Sequence, residues 1–145
     1  MSTMQPKQIV RDFVEEAQCR GNLDSVESYL APDFVDHSAM PGMPGTREGV
    51  RILFSLLWSA FPDLHAEIED QIAEGDKVVT RKTFTGTHRG EFMGILPTGR
   101  RVQFEVIDIL RVVDGRITDH WNLLDQLGLL RQLGALPAPA GPPSA

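Results

Sequence analysis

The hydrophobic periodicity of this chain changes from helical to alternating at Pro62, and that change constrains the fold more than any other feature. Before Pro62 the apolar residues recur at helical spacing, and after it they alternate. Helices are predicted at about residues 6–20, at 23–30 after a cap by Asn22 or Asp24, and at 46–61. The segment from Phe34 begins like a short strand and continues as a Pro/Gly/Met loop. Helices therefore precede the main sheet.

Four strands are predicted after Pro62, at about residues 64–73, 77–88, 101–113 and 116–124. In the first of them Leu64, Ala66, Ile68 and Ile72 share one phase. Turn residues at 74–76 and 114–115 favour hairpins, so the strands are expected to form one antiparallel meander. This order predicts an α+β fold in which a curved antiparallel sheet wraps around the helices and leaves a pocket on its concave side.

The end of the chain is predicted to add one short helix and a tail. Apolar spacing indicates a helix at residues 126–133, with Asp125 as its cap rather than as a catalyst. We predict a single domain over residues 1–136, followed by a disordered Pro/Ala-rich tail at 137–145.

Composition excludes several classes of function. The net charge of −6 supplies no positive field for nucleic acid, and no apolar run approaches the roughly 20 residues that a membrane span needs. Cys19 is the single cysteine, and the N-terminal sequence has no basic segment followed by an apolar signal core. We therefore expect a cytoplasmic protein without a nucleic-acid or membrane partner.

Several short segments occur together after residue 60. They are Phe61-Pro62-Asp63-Leu64, Gly86-Thr87-His88, Gly90-Glu91-Phe92, Gly94-Ile95, Pro97-Thr98-Gly99, Asp114-Gly115-Arg116-Ile117, His120-Trp121 and residues 125–134. With the predicted elements, this arrangement resembles the SnoaL-like polyketide cyclase family over about residues 5–134. The resemblance implies the conical α+β barrel of the nuclear-transport-factor-2-like superfamily. It also implies an intramolecular aldol-type ring closure, without metal or organic cofactor, on a hydrophobic carbonyl compound such as an aromatic polyketide.

The resemblance also implies where the catalytic groups lie, and this chain departs from the family there. The family's acid/base aspartate directly follows the His-Trp pair, and its histidine partner stands on the preceding strand; these positions are Asn122 and Asp108 here. An amide cannot act as a carboxylate base. We therefore predict a swapped polar pair, with the carboxylate and its partner exchanged between the two strands.

Asp108 is the predicted base because it interrupts an apolar row on the third strand. It shares its phase with Phe104, Val106, Leu110 and Val112, and the desolvation expected there favours proton uptake by a carboxylate. Pairing through the 114–115 turn would bring Asp108 opposite Asn122 or His120. We expect His120 to be the general acid or oxyanion donor and Asn122 to orient the substrate.

Each assignment has a structural alternative. Asp108 could accept hydrogen bonds from Arg81 or Arg111 in a structural network. His120 could be a half-buried strand residue. On the same fold the chain could instead be an epoxide or ester hydrolase, a hydroxylation partner, or a non-catalytic small-molecule binding protein.

Substrate contacts are predicted from loop positions and from large apolar side chains. The candidates are His37, Trp58, Phe61, Arg81, His88 and Phe92. The four histidines lack the paired spacing of a zinc site, so no metal is expected. The outer sheet face is predicted to be apolar enough to form a homodimer or a higher homo-oligomer; its residues are Ile107, Ile109, Trp121 and Leu123.

Overall fold

The fold is known from a computed structural model, which describes residues 5–136. In chain order its elements are α1 (Pro6–Val14), a π-helix (Glu15–Cys19), α2 (Ser25–Tyr29), β1 (Leu30–Asp36), α3 (Arg47–Ala60), β2 (His65–Glu74), β3 (Lys77–Thr87), β4 (Arg101–Val113), β5 (Arg116–Leu124) and α4 (Gln126–Gln132). The predicted disordered tail at residues 137–145 lies outside the described residues. The predicted α+β class is confirmed.

The sheet has five strands in the order β1-β5-β4-β3-β2. Strands β2 to β5 form the predicted antiparallel meander. The sequence did not show that β1 joins this sheet. It lies parallel to β5, with Val35 opposite Asp119 and Asp36 opposite His120. The second helix ends at Tyr29, one residue before its predicted end, because the chain already enters β1 at Leu30.

A β-bulge changes the phase of β2. Ile68 pairs with Lys82 and Asp70 pairs with Arg81, so β2 contains one extra residue between these pairs. Beyond the bulge Gln71, opposite Thr80, takes the inner phase, and Ile72 is 67% exposed. The predicted alignment of Ile72 with the core was therefore wrong, because strict alternation does not continue through a bulge.

The helices pack on one face of the sheet and leave part of that face uncovered. Helix α1 buries Ile9, Val10, Phe13 and Val14. Its last turn widens into the π-helix, in which the Arg20 N–H donates to the carbonyl of Glu15. Ala17 and Gln18 of this turn are both buried. A glutamine thus enters the interior at a π-turn, a feature that often accompanies functional sites.

Candidate functional site

A cavity of about 430 Å³ lies between the helices and the sheet, at the place where the sequence predicted a pocket. Most of its wall is apolar and includes Leu30, Phe34, Phe54, Leu57, Phe92, Phe104, Val106 and Leu129. A few polar side chains interrupt this wall; they are Gln18, Asp36, Ser38, Lys82, Asp108, His120, Asn122 and Gln126. An apolar chamber with few polar groups suits a hydrophobic ligand that carries some oxygen functions.

Asp108 belongs to a buried ion pair in this wall. Its cross-strand neighbour is Asn122, one of the two partners that the hairpin pairing predicted. Asp108 is 3% exposed, and the Lys82 ammonium donates to its Oδ2 at 2.7 Å. Lys82 also donates to Gln18 Oε1 at 3.0 Å. The other carboxylate oxygen, Oδ1, is enclosed and has no hydrogen-bond partner among residues 5–136.

The predicted alternative partners of Asp108 lie on the opposite face of the sheet. Arg81 pairs with Asp70 at 3.1 Å and with Glu105 at 3.4 Å, whereas Arg111 pairs with Asp76 at 2.8 Å. Their assignment to Asp108 was wrong, and the partner is Lys82. Successive strand side chains point to opposite faces, so Lys82 rather than Arg81 faces inward. The alternation of β3 already carried this signal, because Lys82 shares the phase of Val78, Thr80 and Phe84.

His120 forms a second polar pair in the cavity wall, with a residue that sequence reasoning missed. Its Nδ1 lies 3.0 Å from Oδ1 of Asp36 on β1. The parallel pairing of β1 with β5 places these two residues side by side. Asp36 shares the inner phase of β1 with Phe34, which was the available sequence signal.

The proton of the His120 ring can be placed from the state of Asp36. Burial by itself raises the pKa of Asp36. Three effects lower it: the hydrogen bond from His120, the positive charge of the His120 ring when protonated, and the hydrogen bond from the Ser38 N–H. Together they outweigh burial, so the pKa of Asp36 lies below its ordinary value. An ionised carboxylate only accepts hydrogen bonds, so Nδ1–H donates to it. In the neutral ring Nε2 then carries the lone pair, and it has no hydrogen-bond partner in the described part of the chain.

Asn122 is the third polar group of this wall. Its backbone N–H donates to Ser38 Oγ at 3.0 Å, which ties β5 to the loop after β1. Its side-chain amide makes no hydrogen bond with any residue between 5 and 136, and Asn122 lines the cavity. An amide in this setting can donate to a substrate oxygen.

Of the six predicted substrate contacts, Phe92 lines the cavity and the other five lie elsewhere. His37 donates to Asp119 at 2.9 Å and stacks on Trp121, so it lies on the outer face. Arg81 points outward for the reason given above. Neither residue lines the cavity, and their role in substrate binding stays a prediction.

The remaining three side chains serve the packing around the cavity. Trp58 Nε1 donates to the carbonyl of Ala17 at 2.9 Å and so supports the π-helix. Phe61 is fully buried in the core. His88 is also fully buried, and its Nδ1 accepts from the Thr98 N–H at 3.2 Å. His88 was predicted from its loop position to contact the substrate, but none of these three residues lines the cavity.

Three further observations concern the cap of α4, metal ligands and membrane-spanning helices. Asp125 caps α4, because its carboxylate accepts from the Gly128 N–H at 3.0 Å, as predicted. Within residues 5–136 no three His, Cys, Asp or Glu side chains form a group that could hold a metal ion. None of the described helices is long and apolar enough to cross a membrane.

Comparison with known proteins adds independent information. Residues 8–133 match the family model of the SnoaL-like polyketide cyclases. The chain is 31% identical over 137 residues to aklanonic acid methyl ester cyclase DnrD of Streptomyces peucetius, covering 92% of this chain and 94% of the relative. It is 33% identical over 118 residues to nogalonic acid methyl ester cyclase of Streptomyces nogalater, covering 79% of this chain and 87% of the relative.

Solved structures give the same fold. AclR, a proposed hydroxylase from Streptomyces galilaeus, is similar with a TM-score of 0.84 and 35% identity, over 96% of this chain and 87% of AclR. TsrD from Streptomyces laurentii is similar with a TM-score of 0.84 and 33% identity, over 94% of this chain and 100% of TsrD.

Proposed function

The chain belongs to the SnoaL-like polyketide cyclase family, and from this premise we propose that it closes a ring in an aromatic polyketide or a similar hydrophobic carbonyl compound. The proposed catalysis is general acid/base, without a cofactor. The observation that carries the proposal is the pair of His120 and Asp36 in the wall of an apolar cavity. A neutral imidazole held by a carboxylate is a competent base near neutral pH.

The proposed reaction returns every atom to the product. Nε2 of His120 removes a proton from a carbon between two carbonyl groups, and the resulting enolate attacks a further carbonyl carbon of the same molecule. A carbon–carbon bond forms, and the new alkoxide takes the proton back from Nε2. The Asp36 carboxylate stabilises the imidazolium between these steps, and the Asn122 amide donates to the enolate oxygen.

Asp108 was the predicted base, and that role stays a prediction. We propose His120 as the base instead, because neither oxygen of Asp108 can reach a substrate proton. Oδ2 accepts from Lys82, and Oδ1 is enclosed by protein atoms. A base must come within hydrogen-bond reach of the proton that it removes. In our proposal Asp108 holds Lys82 in the wall.

The test is to incubate the purified protein with aklanonic acid methyl ester, the compound in the name of the cyclase relatives, and to follow products by liquid chromatography and mass spectrometry. We expect a product of unchanged mass and new retention time. Uptake of water would instead indicate a hydrolase. Binding without any product would indicate a small-molecule binding protein and would contradict the proposal.

A second candidate is participation in hydroxylation, which the similarity to AclR favours. The same cavity would then hold the substrate while an oxygen atom is introduced. The mass spectrum separates the two candidates, because hydroxylation raises the mass of the product by one oxygen and cyclisation leaves it unchanged.

We further propose that the protein forms a homodimer through the outer sheet face. Ile107 and Leu123 of this face are exposed, Leu123 to 82%. Light scattering on a sizing column should give the mass of a dimer for the wild type and of a monomer for Ile107→Lys/Leu123→Lys. Ile72→Lys is the matched control, since Ile72 is exposed at the far edge of the sheet. A monomeric wild type would contradict the proposal.

The proposed location is the cytoplasm. This proposal rests on the single cysteine, Cys19, which has no second cysteine in the chain with which to form a disulfide. Thiol labelling of the protein taken directly from cells would test this, because an oxidised Cys19 would not react.

A further inference from the structure

We propose that Gln18 is a substrate-binding residue whose side-chain N–H donates to a carbonyl oxygen of the ligand. This proposal rests on the proposed function for the kind of ligand, but it concerns binding rather than turnover. Gln18 stands on the π-helix, away from the strand that carries His120 and Asn122. Its carbonyl partner would therefore be a different oxygen from the one that the Asn122 amide binds.

The orientation of the Gln18 amide follows from its neighbour. Lys82 Nζ lies 3.0 Å from Gln18 Oε1. A lysine ammonium has only donors, so the amide must turn its oxygen toward Lys82 and its nitrogen away from it. The buried ion pair with Asp108 at 2.7 Å holds Lys82, and the Phe84 ring lies 5.3 Å from the ammonium. The amide is thus held in one orientation by charged groups that are themselves fixed.

The Gln18 nitrogen then points to the cavity. Gln18 is 7% exposed and lines the cavity. Nε2 has no hydrogen-bond partner in the described part of the chain, and it is not among the fully enclosed unpaired atoms there, unlike Asp108 Oδ1. A buried amide donor without an acceptor costs free energy, which a ligand oxygen would recover. A carbonyl oxygen of a ligand bound in the cavity would supply that acceptor.

The position of this donor defines a class of ligand. Gln18 Nε2 is one donor, and the Asn122 amide on β5 is another. A flat polycyclic compound with one carbonyl oxygen near the reacting carbon and a second ring carbonyl further away would satisfy both. A compound with the same rings but without the second oxygen would leave the Gln18 donor unpaired.

The test compares two ligands of one shape, 9-fluorenone and fluorene, which differ by a single carbonyl oxygen. Their affinities are measured by equilibrium dialysis for the wild type, Gln18→Met and Gln18→Glu. The wild type should bind the ketone about threefold to tenfold better, as expected for one neutral hydrogen bond. Both variants should lose this preference, because methionine has no donor and a glutamate carboxylate only accepts.

Two controls separate the loss of the Gln18 donor from a general loss of binding. Gln8→Met removes an exposed amide of α1, which bonds Asp12, and should leave the preference unchanged. Gln18→Glu keeps an acceptor for Lys82, so it covers the case in which Gln18→Met does not fold. A preference that persists in the variants, or its absence in the wild type, would overturn the inference. Fluorenone is not turned over, so failure of the cyclase assay leaves this result intact.

Discussion

Replacement of His120 by glutamine should lower kcat for ring closure by about 10²- to 10⁴-fold, the usual contribution of a general base. Glutamine keeps a hydrogen-bonding side chain of similar length but cannot take up a proton at Nε2. The measurement is the initial rate of product formation at saturating substrate, with circular dichroism to confirm that the variant is folded at the assay temperature. A variant that retains the wild-type rate would contradict the assignment of the base.

The role of the Asp36 carboxylate, which pairs with His120, can be tested with a matched control from the same chain. Asp36→Asn leaves the imidazole in the cavity but removes the negative charge that stabilises the imidazolium, so kcat should also fall. The second His–Asp pair, His37 with Asp119 at 2.9 Å, lies on the outer face. Asp119→Asn should leave the rate unchanged. Equal losses in both variants would indicate a general effect on stability rather than catalysis by His120.

Removing one partner of the buried ion pair should strongly destabilise the protein. Lys82 is 2% exposed and Asp108 is 3% exposed, so each charge depends on the other for compensation. We expect Lys82→Met to lower the free energy of unfolding by about 3–5 kcal/mol, because it leaves a buried carboxylate uncompensated. Asp108→Leu should have a similar cost, because it leaves the ammonium without a carboxylate. Urea unfolding followed by circular dichroism measures both changes.

The double variant Lys82→Met/Asp108→Leu provides the decisive comparison. It removes both charges from an apolar environment, so much of the stability lost in the single variants should return. Arg81→Met is the matched control one residue earlier on the same strand. Its side chain pairs with Asp70 in solvent, where screening weakens the pair, so its effect should be small. Additive losses in the double variant would show that the two charges are not coupled.

These two predictions separate the roles of two polar pairs in one cavity. The pair at His120 should affect the rate more than the stability, and the pair at Lys82 should affect the stability more than the chemistry. If Asp108 were the base, as predicted from the sequence, Asp108→Asn would abolish the reaction in the folded protein while His120→Gln kept it. Rates measured together with stability distinguish these assignments.

Local sequence patterns were sufficient for most of the fold. The elements near their observed bounds, the inward phase of Asp108 and the pairing of β4 with β5 through the Asp114-Gly115 turn all followed from local patterns. Such features depend on residues within a few positions of each other, or on a tight hairpin that joins two adjacent strands. The turn left Asn122 and His120 open as partners of Asp108, and a register shift between Arg111 and Val112 decided for Asn122. The motifs that carry the family resemblance are also short local segments, so they indicated the fold without knowledge of the tertiary structure.

The partners of the polar side chains were decided by the tertiary structure. Asp36 lies 84 residues before His120, and Gln18 lies 64 residues before Lys82. Neither pairing has a local signature, because β1 reaches β5 through a parallel pairing and Gln18 reaches the cavity through a π-turn. Local alternation determined which residues of β3 and β4 face inward. Which inward charges meet, and so which group is free to act as a base, required the packing of segments that are distant along the chain.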